Sequence, residues 1–403
     1  MMTTKTIYII FLLTLSHVMV QGQVDSTFYK RVETIVGEAQ KQFAPDKRTA
    51  LVEIKHADVL TNRYHVQTTS KDAAKFVKNQ LAATPAEVKV SLFPDSSVLA
   101  KPHGVVNLSL ANLRTMPRHS AELATQLIMG TAVDILDLQS GDYRIRTPEG
   151  YIAWVPQYSI TAMDEAEFKA WKEKDKVIYT KEFGNAYSSV DTDSLRVSDL
   201  IYGNILALNG TTDNYYHVSY PDGRQAFVRK DEATLFKDWL KSRQLSRENL
   251  IRSAKTMMGL PYLWGGTSVR GVDCSGFTKT AFYMNGYIIP RDASQQVLAG
   301  DNVDIMNAAG DFDEQIALEK LLPGDLLFFA ASKGKNENPR VTHVAIYIGN
   351  GEFIHAAGAV RINSFLANRD NYDDFQTRTV VGAKRYIGSE DPLIQLIAQS
   401  NYY

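Results

Sequence analysis

The sequence predicts a multidomain fold in which two small antiparallel β-barrels precede an α+β domain. The chain has 403 residues, and single hydrophobic cores rarely grow beyond about 250–300 residues. One segment in the middle of the chain is repeated, and the last third begins with helical patterns and continues with alternating strands. Hydrophobic residues make up 44% of the chain and charged residues 22%, which is an ordinary globular balance.

The chain begins with the features of a secretory signal peptide, which we assign to residues 1–22. Lys5 precedes an apolar run from Ile7 to Leu15, and small and polar residues follow around Gly22. No later apolar run reaches the roughly 18 residues of a membrane span, so stable membrane insertion is not expected. We predict an exported protein, periplasmic or extracellular. A buried N-terminal helix is the alternative, because only one basic residue precedes the run.

Residues 24–104 are predicted to form an α/β segment to which the sequence assigns no chemistry. Residues 28–43 have the spacing of an amphipathic helix, and short strand-like runs follow.

The middle of the chain contains one unit twice. Leu127-Ile128-Met129-Gly130 recurs as Leu200-Ile201-Tyr202-Gly203. At the same spacing, three further matches follow: Tyr143-Arg144-Ile145 with Tyr216-His217-Val218, Pro148-Glu149-Gly150 with Pro221-Asp222-Gly223, and Trp154-Val155 with Phe227-Val228. Each copy has short alternating apolar segments separated by turn residues, which is typical of small antiparallel barrels. We place the barrels at residues 105–162 and 177–235, with a helical connector at residues 163–176.

Charge and cysteine content exclude two classes of interaction. The formal net charge is −1 and no long basic run occurs, so nucleic acid is not a predicted partner. The chain has one cysteine, which cannot form an internal disulfide. Exported proteins usually pair their cysteines, so Cys274 requires another explanation. It is either a small buried apolar residue or a reactive group.

The residues around Cys274 favour the reactive group. A helix from Ser246 to Met258 is predicted to end at Gly259, and the segment after Gly271 turns into another helix. Asp273 is the expected N-cap and Cys274 lies in the first turn. The positive end of the helix dipole is expected to lower the pKa of the thiol there, which would make it a nucleophile. The whole domain is assigned to residues 245–388.

Two histidines follow on adjacent predicted strands. His343 lies near the start of one alternating strand and His355 lies on the next, with a hairpin signal at Asn350-Gly351 between them. A two-residue turn with regular pairing would put the two imidazoles on opposite faces of the sheet. A loop of odd length would set His355 opposite Ala345 and diagonal to His343, within reach of it. Cooperation between the histidines therefore predicts the odd register.

A zinc site is the competing interpretation of Cys274, His343 and His355. These are metal-ligand types, but the chain has neither a CxxC nor an HExxH pattern to support such a site. We therefore predict no metal.

Together these residues resemble the NlpC-type papain-like cell-wall peptidases. The motifs that carry the resemblance are Tyr262-Leu263-Trp264-Gly265-Gly266, Asp273-Cys274-Ser275-Gly276-Phe277, Pro290-Arg291-Asp292, Pro323-Gly324-Asp325 and His343-Val344-Ala345-Ile346-Tyr347-Ile348-Gly349, with His355 beyond. The pattern Asn112-Leu113-Arg114, residues 122–130 and residues 150–156 resembles a bacterial SH3-like domain. With two such domains in front, the chain from residue 105 resembles the γ-D-glutamyl-L-diamino acid endopeptidases.

The resemblance implies an α+β papain-like cysteine peptidase without a cofactor. Cys274 would be the nucleophile, His343 the general base and His355 the residue that orients it. Such enzymes hydrolyse the bond between γ-D-glutamate and the diamino acid of a peptidoglycan stem peptide that has a free N-terminal L-alanine. Asp273 and Ser275 would hold the alanine amine, in keeping with the pairing of a carboxylate with an ammonium group.

Further substrate contacts are implied by the same resemblance. Tyr262 would line the cleft near the thiol, and Glu122 would be an acidic substrate contact from the first SH3-like domain. Tyr151 and Tyr158 compete for an aromatic position in that domain. Where the family often has a serine two residues after the arginine, this chain has Asp292 and Ala293 before Ser294. Each of these residues could instead be an ordinary barrel or core residue.

Two other functions remain open at this stage. The same cysteine and histidine chemistry could cleave the N-acetylmuramoyl-L-alanine amide. A non-catalytic cell-wall-binding protein built around the two barrels belongs to a different class. Analysis of the products separates the enzymes, and binding to intact sacculi without cleavage would indicate the third function.

Overall fold

The computed structural model describes residues 27–84, 86–331, 340–373 and 378–403. The predicted signal peptide at residues 1–22 lies outside these residues. The chain divides into two compact units, one formed by residues up to Phe43 together with Val52–Ser91, the other by Ala44–Leu51 together with Leu92–Tyr403. The segment 24–104 is thus divided between the two units. Among the described helices, none is long and apolar enough to cross a membrane.

The first unit is a three-stranded sheet with two helices. Its elements are α1 (Thr27–Phe43), β1 (Val52–Asp58), β2 (Arg63–Thr68), α2 (Lys71–Leu81) and β3 (Glu87–Leu92), and the strand order is β1-β2-β3. Helix α1 buries Val32, Ile35, Val36 and Ala39, whose spacing forms one face. Helix α2 is capped by Ser70, whose side chain accepts a hydrogen bond from the Ala73 N–H.

The second unit begins with a seven-stranded antiparallel sheet. Its strands are β4 (His103–Val106), β5 (Leu110–Arg114), β6 (Leu123–Ile128), β7 (Ala132–Gln139), β8 (Asp142–Arg146), β9 (Ile152–Pro156) and β10 (Ile160–Met163). The order is β10-β4-β7-β8-β9-β5-β6. The sheet encloses a core that includes Val106, Leu113, Ile135, Ile145 and Val155. We refer to it as the first barrel sheet.

A short helix leads to another seven-stranded sheet. Helix α3 (Glu165–Glu173) has a capping box between Asp164 and Glu167. The strands that follow are β11 (Lys176–Tyr179), β12 (Phe183–Tyr187), β13 (Arg196–Ile201), β14 (Ile205–Thr211), β15 (Tyr215–Ser219), β16 (Gln225–Arg229) and β17 (Ala233–Leu235). Their order is β13-β12-β16-β15-β14-β11-β17, and we refer to this sheet, which lies where the sequence predicts the second barrel, as the second barrel sheet.

The repeated tetrapeptide forms the junction between the two barrel sheets. Its final glycines, Gly130 and Gly203, have φ values of +83° and +90°, which favour glycine. A Cβ atom on Gly130 would lie 2.4 Å from the Ile205 carbonyl oxygen, and one on Gly203 would lie 2.7 Å from Ile128 Cδ1. The Ile205 N–H donates to the Met129 carbonyl oxygen at 3.0 Å. Each copy thus packs its turn against the other copy.

The remaining chain forms an α+β arrangement. Its helices are α4 (Phe236–Ser242), α5 (Arg247–Thr256), α6 (Cys274–Tyr283), α7 (Ala293–Gln296) and α8 (Glu314–Lys320). Its strands are β18 (Thr267–Ser268), β19 (Gly271–Val272), β20 (Tyr287–Ile288), β21 (Asp301–Val303), β22 (Leu326–Ala330), β23 (Val341–Gly349), β24 (Glu352–Ala357), β25 (Ala359–Ser364), β26 (Thr379–Arg385) and β27 (Gln395–Leu396). Six strands form one sheet in the order β21-β26-β22-β23-β24-β25.

Helix α6 packs against this six-stranded sheet. Phe277 and Ala281 from the helix share a buried cluster with Val344 of β23 and Ile354 of β24. The amphipathic spacing of the helix and the alternation of the strands together bury these faces. This packing brings the first turn of α6 beside β23.

Candidate active site

Cys274 is the first residue of α6, and Asp273 is the N-cap of that helix. The Asp273 carboxylate accepts a hydrogen bond from the Gly276 N–H at 2.7 Å. A Cβ atom on Gly276 would lie 1.9 Å from the Gly266 carbonyl oxygen, so only glycine allows this approach. The local sequence thereby fixes the thiol at the helix start.

The thiol lies in a buried environment. Cys274 is 7% exposed, and its Sγ atom is 3.9 Å from the Thr342 carbonyl oxygen on β23. Burial raises the pKa of the Cys274 thiol to about 12, and the negative charge of Asp273 acts in the same direction. The N–H groups of Ser275 and Val344 act in the opposite direction. The expected lowering of the thiol pKa is therefore wrong for the substrate-free protein, because burial outweighs the helix start.

A bulge between β23 and β24 brings the two histidines together. Gly349 pairs with Glu352 across a two-residue turn, whereas Tyr347 pairs with Phe353. The register therefore shifts by one residue at Ile348, between these two pairs. Asn350 and Gly351 have φ values of 54° and 78°, as a tight hairpin turn requires. The bulge at Ile348 restores the odd register. As a result, His343 Nε2 lies 2.8 Å from His355 Nδ1.

Both imidazoles are buried and favour the neutral state. Burial lowers the pKa of His343 well below its usual range, with smaller contributions from His355 and Arg378. Burial and then Arg378 lower the pKa of His355 to about 4, although the hydrogen bond that Asn363 Oδ1 accepts from His355 acts in the opposite direction. Near neutral pH a neutral thiol therefore lies close to a neutral imidazole pair.

The Cys274 thiol contacts β23 at the two residues that flank His343. It contacts the Thr342 carbonyl group and the Val344 N–H, the two neighbours of His343 in the chain. Because His343 Nε2 faces His355, Nδ1 is the ring nitrogen left for the thiol. Within the described residues, the thiol and His343 form no hydrogen bond. Catalytic hydrogen bonds are often long in substrate-free enzymes and shorten when substrate binds.

The thiol borders a cleft of about 660 Å³ between the first barrel sheet and α6. Seven residues singled out in the sequence line it: Glu122, Tyr151, Tyr262, Asp273, Cys274, Ser275 and Asp292. His343 and His355 are buried behind the cleft wall, at 8% and 0% exposure. Tyr158 is 65% exposed and is not among the lining residues, so Tyr151 is the tyrosine that the structure brings to the cleft.

Comparison with known proteins identifies the family. A model described as the NlpC/P60 family matches residues 259–381, and one described as the bacterial dipeptidyl-peptidase SH3 domain matches residues 113–160. A γ-D-glutamyl-L-lysine dipeptidyl-peptidase of Bacillus cereus is 34% identical over 277 residues, which cover 66% of this chain and 76% of that protein. The chain belongs to the NlpC/P60 family.

Two further proteins extend this likeness. Dipeptidyl-peptidase 6 of Lysinibacillus sphaericus is 26% identical over 299 residues, covering 70% of this chain and 99% of that protein. The crystal structure of an NlpC/P60 family protein from Bacillus cereus is 27% identical with a TM-score of 0.57, covering 70% of this chain and 99% of that chain. The resemblance predicted from the motifs is confirmed, as is an SH3 domain ahead of the peptidase domain.

In this NlpC/P60 chain, the Asp273 carboxylate is fully engaged. Its Oδ1 atom accepts from the Gly276 N–H, from Ser275 Oγ and from Arg291 Nη1, and its Oδ2 atom accepts from the Gly265 N–H at 2.9 Å and from Arg291 Nη2 at 2.7 Å. Arg291 is fully buried. A carboxylate offers about four acceptor sites. A substrate ammonium group would therefore have to displace one of these donors.

Arg48 is a cleft residue that the sequence analysis missed. Its Nη1 atom donates to Asp292 Oδ2 at 2.7 Å and to Ser294 Oγ at 2.9 Å, and its Nε atom donates to Asp46 at 2.8 Å. The Arg48 carbonyl oxygen accepts from the Ile152 N–H at 2.6 Å. Arg48 thus ties the first barrel sheet to the start of α7. It lies outside both matched ranges, and no local pattern in the sequence could have revealed these long-range contacts.

Two other residues, Trp264 in the cleft and the buried Arg291 behind it, were overlooked as site residues. Trp264 is 61% exposed, and its indole N–H donates to Glu122 Oε1 at 2.8 Å. Arg291 donates from Nε to Thr125 Oγ1 of β6 at 2.8 Å. Both residues belong to the sequence motifs that resemble the NlpC-type peptidases, and this membership was the signal that could have identified them as site residues. They join the peptidase domain to the SH3 domain that supplies Glu122.

A metal centre finds no support in the described part of the chain. There, no group of three or more His, Cys, Asp and Glu side chains could hold a metal ion. The short link between His343 and His355 is a direct contact between ring nitrogens.

Proposed function

We propose that this protein is a cysteine peptidase that hydrolyses the γ-D-glutamyl–diamino acid bond of peptidoglycan stem peptides with a free N-terminal L-alanine. The observation that carries the proposal is the thiol of Cys274 at the start of α6, in a cleft whose other wall is the SH3 domain with Glu122 and Tyr151. The relatives named as γ-D-glutamyl-L-lysine dipeptidyl-peptidases support this substrate class.

The proposed reaction starts from the neutral pair. His343 Nδ1 accepts the thiol proton while Cys274 Sγ attacks the γ-carbonyl carbon, so no free thiolate has to persist in the buried site. The negative oxygen of the tetrahedral intermediate accepts hydrogen bonds from backbone N–H groups of the first turn of α6. His343 then gives its proton to the departing amine of the diamino acid. A thioester remains on Cys274.

Water completes the cycle. His343 removes a proton from a water molecule, the resulting hydroxide attacks the thioester carbonyl, and the sulfur leaves and recovers a proton. The products are L-Ala-γ-D-Glu and the peptide that begins with the diamino acid. His355 holds the His343 ring through the 2.8 Å contact during both steps.

Recognition of the free amine is proposed to depend on cleft carboxylates other than Asp273. Fully buried Arg291 neutralises Asp273, whereas Glu122 and Asp292 line the cleft; Glu122 accepts from the Trp264 indole, and Asp292 accepts from Arg48, whose side chain is partly exposed. Asp273 and Ser275 contribute by shaping this part of the site. An alanine nitrogen still joined to muramic acid carries no positive charge for such carboxylates to pair with. The site would therefore select peptides that have already been released from the glycan.

The remaining assignments complete the proposal. We infer that the second barrel sheet at residues 177–235 is a second SH3-like domain, because it shares the repeated motif and the seven-strand composition of the first. We place the connector at residues 163–176, which contain α3, and the peptidase domain at residues 245–388, which include the residues 259–381 that match the NlpC/P60 family. The peptidoglycan substrate fits the predicted export to the periplasm or the cell exterior.

The test is a digest of defined peptides followed by mass spectrometry. The wild-type protein should release L-Ala-γ-D-Glu from a free tripeptide but not from its muramyl-linked form, and Cys274→Ala should release none. Turnover retained by Cys274→Ala would refute the assignment. Release of the whole peptide from muramic acid would identify an amidase instead. Iodoacetamide labelling at neutral pH does not distinguish an enzyme from a wall-binding protein, because burial raises the pKa of the free thiol.

A further inference from the structure

The hydrogen-bond chain behind the thiol continues beyond His355. His355 Nε2 lies 3.1 Å from Asn363 Oδ1, and Asn363 Nδ2 donates to the Asn371 carbonyl oxygen at 3.0 Å. Asn371 in turn donates from its side chain to Glu352 Oε1 at 3.1 Å. Asn363 lies on β25, where it pairs with Phe353 and so shares the sheet face of His355. The side chains of His343, His355 and Asn363 thus form a continuous hydrogen-bond chain that reaches the edge strand β25.

The Asn363 amide can have only one orientation in this chain. A backbone carbonyl oxygen accepts hydrogen bonds and cannot donate them, so the Asn363 atom that faces Asn371 must be the amide nitrogen. The Asn363 carbonyl oxygen must then face His355. This assignment follows from the partner and does not depend on distinguishing oxygen from nitrogen in the side chain.

The orientation of Asn363 determines where each imidazole proton lies. An amide oxygen only accepts, so His355 Nε2 must carry the proton. A neutral imidazole has one N–H group, so His355 Nδ1 is an acceptor, and His343 Nε2, 2.8 Å away, must be the donor. His343 Nδ1 is then left without a proton. The reversed arrangement would set two lone pairs against each other at the buried contact of His355 with Asn363.

We propose that Asn363 is a positioning residue that fixes the tautomers of His355 and His343, so that the unprotonated Nδ1 atom of His343 is presented to Cys274. The catalytic consequence rests on the proposed function, but the tautomers themselves do not. Asn363 touches neither the thiol nor the cleft, since it is not among the residues that line it. Asn363 acts on His343 Nδ1 through the imidazole rings of His355 and His343.

The direct test is nitrogen NMR on protein labelled in the imidazole rings. In the wild type, both His343 and His355 should carry the proton on Nε2. Asn363→Leu removes the acceptor and should give a mixture of tautomers at His355. Asn363→Asp keeps an acceptor oxygen and should retain the wild-type tautomers. A wild-type His343 with its proton on Nδ1 would overturn the proposal.

Kinetics provide the second measurement. Loss of the outer hydrogen-bond partner of a metal-ligating histidine typically costs about 10-fold to 100-fold in metal affinity or activity. By analogy, Asn363→Leu should lower kcat within that range while KM changes by less than about 2-fold. Asn363→Asp should recover most of kcat, which a purely structural role would not explain. Wild-type kcat in Asn363→Leu would overturn the proposal. If the protein does not cleave γ-D-glutamyl peptides at all, the NMR measurement still decides the tautomers, so the two failures are distinguishable.

Discussion

The buried pair of Arg291 and Asp273 permits a sharp prediction about stability. The Arg291 side chain is 0% exposed and that of Asp273 is 11% exposed, and Arg291 Nη2 lies 2.7 Å from Asp273 Oδ2. The substitution Arg291→Met keeps much of the volume but removes the charge. It leaves a buried carboxylate without its cation at the N-cap of the helix that carries Cys274.

The size of the loss in unfolding free energy depends on the hydrogen bonds that Asp273 keeps. Removing one member of a buried ion pair typically costs about 3–5 kcal/mol. The Gly265 and Gly276 N–H groups and the Ser275 hydroxyl would still donate to Asp273, so we expect the lower end, about 3 kcal/mol. The Thr125 hydroxyl would also lose its contact with Arg291. The measurement is the free energy of unfolding from urea denaturation followed by tryptophan fluorescence.

An exposed ion pair provides the control. Arg229 also makes two hydrogen bonds to one carboxylate, that of Asp231, but the two side chains are 40% and 63% exposed. Water can solvate Asp231 after Arg229→Met, so we expect little loss of stability from this variant. In the double variant Asp273→Asn, Arg291→Met, the loss of stability should be smaller than the sum of the losses in the two single variants. Equal losses for Arg291→Met and Arg229→Met would refute the reasoning.

Two other predictions concern substrate binding and pH. Arg48→Met should raise KM by about 10-fold and leave kcat within about 2-fold, because Arg48 bonds to Asp292 and Ser294 in the cleft but not to Cys274. Lys47→Met, which changes an exposed neighbouring residue, is the control. A fall in kcat with an unchanged KM would count against the reasoning. The pKa of His355 is lowered to about 4, against about 6.5 in the unfolded chain. The unfolded state therefore binds more protons between these pH values, so stability should fall as pH falls from about 6.5 to 4, by up to about 3 kcal/mol from His355. The same denaturation series with His355→Gln should show a smaller fall, and identical slopes would argue against a depressed pKa.

Features that depend on neighbouring residues in the chain were accessible from the sequence. A cap acts within one helical turn, and the segment around Asp273 predicted the start of α6 at Cys274. The turn residues Asn350-Gly351 predicted the hairpin that carries both histidines. The repeated tetrapeptide predicted two similar β units, and two seven-stranded sheets occupy those positions. Local stereochemistry is sufficient for each of these features.

Features that depend on tertiary packing were not accessible. The bulge at Ile348 reverses the parity of the hairpin; Gly349 beside it has a φ of +105°, which favours glycine, but a glycine alone does not specify a bulge. Arg48 and Asp292 are 244 residues apart in the chain, so no local sequence pattern predicts their pairing. The thiol pKa was predicted in the wrong direction because the helix start is a local effect, whereas desolvation depends on the whole surrounding core.

The buried thiol and the buried imidazoles have a joint consequence for how the site is activated. Burial raises the pKa of Cys274 and lowers that of His343, so the uncharged pair is favoured over the thiolate–imidazolium pair when the cleft is empty. Thiolates, not thiols, react with oxidants and alkylating agents. The neutral thiol of Cys274 is therefore protected from these reagents until its sulfur attacks a substrate carbonyl. Before the thiol proton can be transferred, His343 Nδ1 must be unprotonated, because an imidazole that already carries its proton on Nδ1 could not accept another proton there. The hydrogen bonds from His343 through His355 to Asn363 supply this condition in advance of substrate binding.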